Sequence, residues 1–333
     1  MTTKSFINGI KNFTELTRAY SLGVSLAPWF VAFCWVFANG FYVLDAILSL
    51  IAIVCLHLGF NLYDDFVDVL LKIQKGERLN EITFCKGKEK ARLITNGTYP
   101  LLVVCAIIFA LFLIASAIGF YFYVLHGVAV IQIALITAIL GLVYPISAKF
   151  YLSEVVISII FGILLPKGVY LAMTGWSSTN LFLFSIALAL IITPLLHAHS
   201  IMDWEFDEKN NKHTLARLCR TKKNAVSALG AMIFGAYLIL GVLIALNYVP
   251  SLMLWTFITI PIGVELVRSM DDYISVKDVN FKPKWWLGPM ENWAHIEKAG
   301  KAFFMYRFYL ARNLATFFCL ISGVTFALAL LMS

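Results

Sequence analysis

The sequence has little charge for its length. Only 14% of its 333 residues are Asp, Glu, Lys or Arg, whereas 61% are hydrophobic. A soluble domain carries about 25% charged residues, so this deficit excludes an ordinary soluble protein. The apolar residues stand in long runs, and a transmembrane helix needs about 20 of them. The composition therefore predicts an integral membrane protein that is embedded in a lipid bilayer.

Cysteine motifs and a signal peptide are also missing. The six cysteines form no CxxC pair, so we expect neither a disulfide framework nor a zinc site. Lys4, Lys11, Glu15 and Arg18 precede the first apolar run, which argues against a cleavable signal peptide. The net charge of +7 gives no case for nucleic-acid binding, because membrane topology accounts for most of it.

Nine apolar runs are long enough to cross a bilayer. A single chain crosses lipid only as helices or as a closed barrel, and these runs are too long and continuous for barrel strands. The predicted spans are 21–38, 43–61, 97–119, 127–146, 152–173, 180–201, 225–246, 251–269 and 313–332. The predicted fold class is all-α: one membrane domain over residues 1–333, with nine helices around a central cavity open to the cytoplasmic side.

Basic residues are absent from one set of connecting segments. If the N-terminus lies inside, every Lys and Arg except Lys167 falls on an inner segment or at its edge, and the short outer turns hold none. This positive-inside pattern predicts a cytoplasmic N-terminus. It also places the most acidic parts of the chain on the cytoplasmic side.

Two acidic runs stand at the ends of predicted spans. The first, after the second span, reads Asn61-Leu62-Tyr63-Asp64-Asp65-Phe66-Val67-Asp68. The second, after the sixth span, reads Asp203-Trp204-Glu205-Phe206-Asp207. Residues three, four and seven apart share one face of a helix, so each run presents grouped acids. Carboxylates at a membrane helix end are costly unless a cation binds them, and we predict that the two runs face each other.

Magnesium is the cation that these side chains suit. It prefers oxygen ligands, keeps several waters, and commonly joins one or two carboxylates to substrate phosphates. We expect two Mg²⁺ ions around one diphosphate, whose allylic C–O bond could then ionise inside an apolar bundle that excludes water. The predicted metal ligands are Asn61, Asp64, Asp65, Asp68, Asp203 and Asp207. All of these except Asp64 are also predicted to be catalytic.

Further side chains could bind the substrates. Lys209 and Lys212 follow the second run and can reach diphosphate oxygens, or they are simple positive-inside residues. Lys167, inside the fifth span, could face the cavity, pair with Glu265, or snorkel to the outer surface. The predicted substrate-binding residues are Lys209, Lys212, Tyr144, Lys149, Arg18, His199 and Lys167.

Two histidines precede the second run, His197 and His199. Each is either a hydrogen-bonded core residue, or a contact to an acceptor or the base that takes its phenol proton. Glu205 and Glu208 point away from the aspartates on a helix, and we expect them to be solvated or paired in salt bridges.

These motifs resemble those of the UbiA superfamily of intramembrane prenyltransferases, and most of all its 1,4-dihydroxy-2-naphthoate prenyltransferases. The first run is similar to the superfamily's NLxNDYxD run, and residues 203–216 are similar to its RDxxxDxxxGKxTLA run. Tyr144-Pro145 before Lys149 resembles its Tyr-Pro loop, and Gly162 resembles a glycine of its fifth helix.

The sequence departs from that pattern at a few positions. Asp64 stands where the superfamily run has an asparagine, Asn211 where a glycine usually precedes the lysine, and Met202 where an arginine is common. The resemblance implies transfer of a polyprenyl group from a prenyl diphosphate to an aromatic acceptor. The leading acceptor is 1,4-dihydroxy-2-naphthoate, in menaquinone biosynthesis, and the implied location is a bacterial cytoplasmic membrane.

Three alternatives remain open from the sequence. The acceptor could instead be 4-hydroxybenzoate, homogentisate or a glycerol lipid, or the enzyme could cyclise its own prenyl chain without an acceptor. A cation-coupled transporter would use the acids as ion sites and Lys167 on its pathway. A transporter is expected to carry charges near the bilayer midplane, whereas these acids stand at predicted helix ends.

Overall fold

The structure is a computed structural model that describes residues 3–37, 40–82, 91–275 and 281–332. Within these ranges the chain forms helices joined by turns, and it forms no strand. Nine helical stretches in the described ranges are long and apolar enough to cross a membrane: Ala19–Phe37, Val43–Gln74, Leu101–His126, Val128–Ser147, Ser153–Thr174, Thr179–Met202, Lys222–Ala245, Ser251–Ile274 and Ala302–Met332. The predicted all-α membrane fold is therefore confirmed.

The helices are numbered in chain order. They are α1 (Thr3–Leu16), α2 (Gly23–Phe37), α3 (Val43–Gln74), α4 (Arg92–Thr95), α5 (Leu101–His126), α6 (Val128–Ser147), α7 (Ser153–Ile157), α8 (Leu165–Thr174), α9 (Thr179–Met202), α10 (Trp204–Lys209), α11 (Leu215–Leu218), α12 (Lys222–Ala245), α13 (Ile260–Ile274), α14 (Trp293–Lys298) and α15 (Ala302–Met332). A π-helical segment, Ser158–Leu164, joins α7 to α8, and a 3-10 segment, Ser251–Thr259, precedes α13.

Two predicted span ends differ most from the structure. Helix α3 continues thirteen residues beyond the predicted end at 61, and α15 begins eleven residues before the predicted start at 313. Both extensions remain amphipathic after the apolar run stops. Leu62 and Val69 are fully buried, as are Leu310 and, almost fully, Tyr306, so packing on one face prolongs each helix. The predicted end of the first span, residue 38, lies outside the described residues.

The helices group into two compact units. The first comprises Met1–Leu26 and Val43–Pro145. In it α3 packs along α5, and α1 lies against α4. The core of this unit is formed by buried aliphatic side chains of these helices, namely Leu16, Leu62, Val69, Leu93, Ile94, Val104 and Ile108. The long α3 is therefore anchored by packing on the part that carries the first acidic run.

The second unit comprises Ala27–Tyr42 and Ile146–Ser333. Helix α9 is its centre and packs against α12, α15 and the π-helical segment. Near the start of α9, the ring of Phe184 stacks on Trp35 at 5.0 Å and on Phe318 at 6.1 Å. The other end of α9 leads directly into the second acidic run. The prediction of a single domain over the whole chain stays a prediction.

The fifth span is interrupted by the π-helical segment for a local reason. Pro166 lacks an N–H group, and its ring would clash with the carbonyl four residues earlier in a regular α-helix; the wider π turns precede it. Gly162 lies in this segment, where a Cβ would overlap the Cα of Ala189 on α9. Gly162 is thus required for the close contact between these two helices.

Candidate functional site

The first acidic run lies within the continuous helix α3, not in a loop after it. Asn61, Asp64 and Asp68 therefore fall along one side of a rigid helix, with Asp65 next to them. Asp64 is 8% exposed and Asp65 is 2% exposed, whereas Asp68 is half-buried. Two largely dehydrated carboxylates at adjacent positions repel each other unless positive charge lies close by.

Arg18 supplies that positive charge. Its Nη2 donates to Asp64 Oδ2 at 2.8 Å and to Asp65 Oδ1, and its Nε donates to Asp65 Oδ2 at 3.2 Å. Nη2 also reaches the carbonyl of Asn61 at 3.2 Å. Burial opposes the charge of the Arg18 guanidinium, but the carboxylates of Asp65 and Asp64 raise its pKa. The guanidinium is therefore charged at every practical pH.

A turn holds Arg18 in this position. The residue has φ 50° and ψ 42°, a left-handed conformation that costs a non-glycine residue about 1–2 kcal/mol. The Asn61 side-chain amide donates to the Thr17 carbonyl at 3.3 Å and to Ser21 Oγ at 3.0 Å, and so spans the turn. Asn61 thus positions Arg18 beside the acids in addition to any role in ligand binding.

Sequence reasoning missed a histidine that supports the same turn. His57 is buried on α3, one helical turn before Asn61. Its Nε2 forms a hydrogen bond with Ser21 Oγ at 2.8 Å, and its Nδ1 forms one with Ser25 Oγ. The available signal was the spacing, because Ser21 and Ser25 share a helix face, as do His57 and Asn61.

The second acidic run forms the junction between α9 and α10. Asp203 ends α9, and the Asp207 N–H donates to its carbonyl at 2.8 Å. Asp207 is only 6% exposed, and Asp203 is half-buried. Glu205 and Glu208 are exposed and form salt bridges with Lys222 and with Arg217, as expected from their positions on the helix.

The chain reverses direction directly after α10. Asn211 has φ 53°, and the Lys212 N–H donates a hydrogen bond to the Asp207 carbonyl at 2.8 Å. This left-handed conformation is the reason that a glycine suits the position, and asparagine is the side chain that tolerates it best after glycine. The departure at Asn211 therefore preserves the turn. Lys209 and Lys212 are exposed on either side of it.

A second loop is joined to this turn. The His213 N–H donates to the Ala148 carbonyl at 2.7 Å, and the Tyr151 N–H donates to the His213 carbonyl at 3.1 Å. The Tyr151 hydroxyl and His213 Nδ1 are 3.0 Å apart. These bonds bring the loop that carries Lys149, which is exposed, alongside the loop that carries Lys212.

The remaining candidates have other surroundings. Lys167 places its ammonium 5.4 Å from the ring centroid of Phe182, and Glu265 accepts a hydrogen bond from Tyr306 at 2.8 Å. No ion pair joins Lys167 to Glu265 in the part of the chain that the structure describes, and a role of Lys167 in the cavity stays a prediction. Tyr144 lies half-buried on α6, in the first unit.

The two histidines of α9 have different surroundings. His197 is fully buried, with Nε2 2.9 Å from the Ala225 carbonyl, which matches the prediction of a core histidine. His199 lies between aromatic rings of α15, with Phe304 at 5.4 Å and Phe308 at 5.2 Å between ring centroids. An aromatic setting suits contact with a flat, apolar ligand, and the binding role of His199 stays a prediction.

The donor atoms of both runs fit a hard divalent cation. They are carboxylate and amide oxygens, without sulfur or imidazole ligands among the predicted set. In the described part of the chain, no group of three or more His, Cys, Asp and Glu residues is arranged to hold a metal ion. The oxygen donors of these side chains suit an ion held by one or two carboxylates together with substrate phosphates, as Mg²⁺ commonly is.

An apolar groove of the second unit lies away from the second run. It has a volume of about 750 Å³ and is lined by residues of the 3-10 segment and the end of α15, including Trp255 and Met332. The start of α15 contacts His199, so the groove lies at the opposite end of that helix from the second run. The predicted central cavity, its cytoplasmic opening and the meeting of the two runs stay predictions.

Comparisons with known proteins agree with this architecture. The sequence model of the UbiA prenyltransferase family matches residues 21–287. The chain is 25% identical over 225 residues to a 1,4-dihydroxy-2-naphthoate octaprenyltransferase of Haemophilus influenzae, covering 65% of this chain and 72% of that protein.

Two solved structures are similar in fold. One comes from work on a digeranylgeranylglyceryl phosphate synthase, with a TM-score of 0.59 and 14% identity over 97% of this chain and 99% of that one. The other is an apo UbiA homologue from Aeropyrum pernix K1, with a TM-score of 0.58 and 18% identity over 93% and 99%. Since the family match covers well over half of the sequence, this protein belongs to the UbiA prenyltransferase family and is an intramembrane prenyltransferase.

Proposed function

We propose that the protein transfers a polyprenyl group from a prenyl diphosphate to an aromatic acceptor, and that the acceptor is 1,4-dihydroxy-2-naphthoate. The product would be a precursor of menaquinone. The observation that carries the proposal is the pair of buried carboxylates, Asp64 and Asp65, which are fixed on a rigid helix and already hold a cationic group. The naphthoate relative supports the choice of acceptor.

The acids of both runs are the proposed ligands of Mg²⁺. One or two of the carboxylates of Asp64, Asp65 and Asp68, with the Asn61 amide, would hold one ion together with the diphosphate, and Asp203 and Asp207 would hold the other in the same way. Bound Mg²⁺ supplies charge neutralisation for a diphosphate leaving group. Placing these carboxylates on α3 and at the α9–α10 junction fixes their positions before the substrate binds, which reduces the cost of reorganisation.

Basic side chains are proposed to bind the diphosphate oxygens. Lys212 and Lys209 are exposed beside the second run, and Lys149 lies on the loop that is hydrogen-bonded to theirs. Arg18 is a further candidate, because its guanidinium can exchange a carboxylate for a phosphate at the same place. The apolar helices would hold the prenyl chain and exclude water from the allylic cation.

The orientation of the chain is also proposed. The basic loops lie on the side that we assign to the cytoplasm, in agreement with the positive-inside rule. Both acidic runs and the N-terminus would then face the cytoplasm of a bacterial cell.

The test uses membranes that contain the protein, Mg²⁺ and radiolabelled geranylgeranyl diphosphate, with and without dihydroxynaphthoate. We expect a prenylated naphthoquinone precursor from the wild type and at least a hundredfold loss in Asp65→Asn and Asp207→Asn. Asp45→Asn is the matched control on α3, because Asp45 is equally buried and bonded to Tyr121 at 3.0 Å, but lies about 30 Å from Asp65 along the helix.

The outcomes separate the alternatives. Product with hydroxybenzoate, homogentisate or a glycerol lipid, and none with naphthoate, would replace the proposed acceptor. Diphosphate release without any acceptor would indicate cyclisation. If no condition releases diphosphate and the two aspartate variants behave like Asp45→Asn, the proposed reaction is wrong.

A further inference from the structure

Glu154 is a fully buried carboxylate that the proposed reaction does not use. It lies in the first turn of α7 and is 0% exposed. Its Oε2 accepts hydrogen bonds from Ser153 Oγ at 2.7 Å and from the Leu215 N–H at 3.0 Å. Its Oε1 is buried without a hydrogen-bond partner among the described residues. A carboxylate with one unsatisfied oxygen is a costly way to stabilise a helix end.

The Leu215 N–H belongs to the segment that follows the second acidic run. It is the first helical residue of α11, whose cap is Thr214. From the same short helix, Arg217 Nη1 donates to the Lys212 carbonyl at 2.6 Å, and its guanidinium lies 3.6 Å from Glu208. A contact that fixes α11 therefore also fixes the backbone of Lys212.

The same connection reaches the second acidic run. The Lys212 N–H is bonded to the Asp207 carbonyl at 2.8 Å, so the turn at Asn211 is closed from both sides. Glu154 accepts a hydrogen bond from the Leu215 N–H at the end of this segment. Ala148 and Tyr151, on the neighbouring loop, form backbone hydrogen bonds with His213. The backbone from Asp207 to Arg217 is thus tied to the fifth span through one carboxylate oxygen.

A second buried group belongs to the same region. His197 on α9 interacts electrostatically with Glu154, and its Nδ1 is buried without a partner while its Nε2 contacts the Ala225 carbonyl. Each of the two side chains uses one polar atom to hold a backbone group and leaves the other unsatisfied. Such unsatisfied groups are found where geometry matters more than stability.

We propose that Glu154 is a positioning residue that sets the place of Lys212 and Asp207 by holding the Leu215 N–H. This inference rests on the proposed function for its catalytic consequence, since Lys212 would bind the diphosphate. Its structural part, the control of the 207–217 segment, stands independently of any reaction.

Limited proteolysis tests the structural part. In purified Glu154→Ala, trypsin should cleave after Lys209 and Lys212 at least tenfold faster than in the wild type. Cleavage after Lys75 and Arg78, in the other unit, should keep its rate. Glu154→Gln retains an acceptor oxygen and should resemble the wild type.

Two further variants test whether the Leu215 N–H bond, rather than Glu154 itself, controls the cleavage. Ser153→Ala removes the other donor to Glu154 and should leave cleavage unchanged. Leu215→Pro removes the N–H while Glu154 stays intact, at a first helical position where proline is well tolerated, and it should reproduce the fast cleavage. Thr214, which precedes it, already has the extended backbone that a following proline requires.

Kinetics test the catalytic part. Glu154→Ala and Leu215→Pro should raise KM for the prenyl diphosphate at least tenfold and change KM for the acceptor less than twofold. Wild-type cleavage in both variants would overturn the positioning role. Equal acceleration at all four cleavage sites would also overturn it, because it would indicate a general loss of stability. If no prenyl transfer is found in any variant but the cleavage pattern is as expected, only the proposed function fails.

Discussion

Replacing Arg18 with glutamine should have opposite effects on two ligands of the first acidic run. The guanidinium of Arg18 occupies oxygens of Asp64 and Asp65 that a divalent cation would need. Without it, a metal ion meets less competition and no repulsion from a neighbouring positive charge. The diphosphate, by contrast, loses a cationic partner. We therefore expect tighter metal binding and weaker prenyl diphosphate binding in the same variant.

The expected increase in metal affinity is worked out from the charges around Arg18. Two unit charges about 4 Å apart interact by about 4 kcal/mol at an effective dielectric constant of about 20. The Arg18 side chain is 25% exposed, and those of Asp64 and Asp65 are 11% and 3% exposed, so we take about half of that value for solvent screening. About 2 kcal/mol corresponds to roughly 30-fold tighter binding, since each tenfold change is about 1.4 kcal/mol.

The variant also has a cost in stability. Removing one partner of a largely buried ion pair leaves uncompensated charge and typically costs about 3–5 kcal/mol. We expect the lower end, because Arg18 is partly exposed. Adding Mn²⁺ should restore most of this loss in the variant, since the metal ion then neutralises the same carboxylates.

The assay is a Mn²⁺ titration of the purified protein without diphosphate, followed by electron paramagnetic resonance. Arg92→Gln is the matched control, because Arg92 pairs with Glu15 at 2.6 Å in the same unit but at an exposed site. KM for the prenyl diphosphate is measured at saturating Mn²⁺ in parallel. Unchanged or weaker Mn²⁺ binding in Arg18→Gln, relative to Arg92→Gln, would refute the reasoning.

Three further changes test local features of the second unit. Asn211→Gly should leave the free energy of unfolding nearly unchanged, whereas Asn211→Val should lower it by about 1–2 kcal/mol, because valine resists a left-handed backbone; denaturation with sodium dodecyl sulfate measures both. Gly162→Ala should cost about 1–3 kcal/mol in the same assay through overlap with Ala189. The hydrogen bond from Lys222 lowers the pKa of Glu205, so this pair stabilises the protein at neutral pH and stops doing so as acid protonates the carboxylate. The difference in unfolding temperature between the wild type and Glu205→Gln should accordingly disappear on acidification, and a constant difference would contradict the assignment.

The number of membrane-spanning stretches in the described ranges and their helical class could be predicted, because hydropathy indicates both. Their ends could not, because amphipathic extensions carry polar residues and no longer stand out by hydropathy. The extension of α3 beyond residue 61 depends on the packing of Leu62 and Val69 against other helices.

The acids were predictable as a group, but their partners were not. Arg18 is separated from Asp64 by 46 residues and reaches it only because a turn places Arg18 in an unusual backbone conformation. Nothing in the local sequence requires that turn, although Ser21 and His57 support it. Glu154 was missed for a different reason. A lone glutamate at the start of an apolar span is itself a signal of function, but no second acid accompanies it in the sequence.

The two acidic runs differ in which of their parts can move when a ligand binds. Asp64 and Asp65 lie in the middle of a 32-residue helix whose neighbours are packed into a core, so their backbone cannot adjust without moving the whole helix. Lys209 and Lys212 extend exposed side chains on either side of a short reversal of the chain. Within each run, adjustment to a ligand should therefore come from side chains: from Arg18 beside the first run, and from Lys209 and Lys212 beside the second.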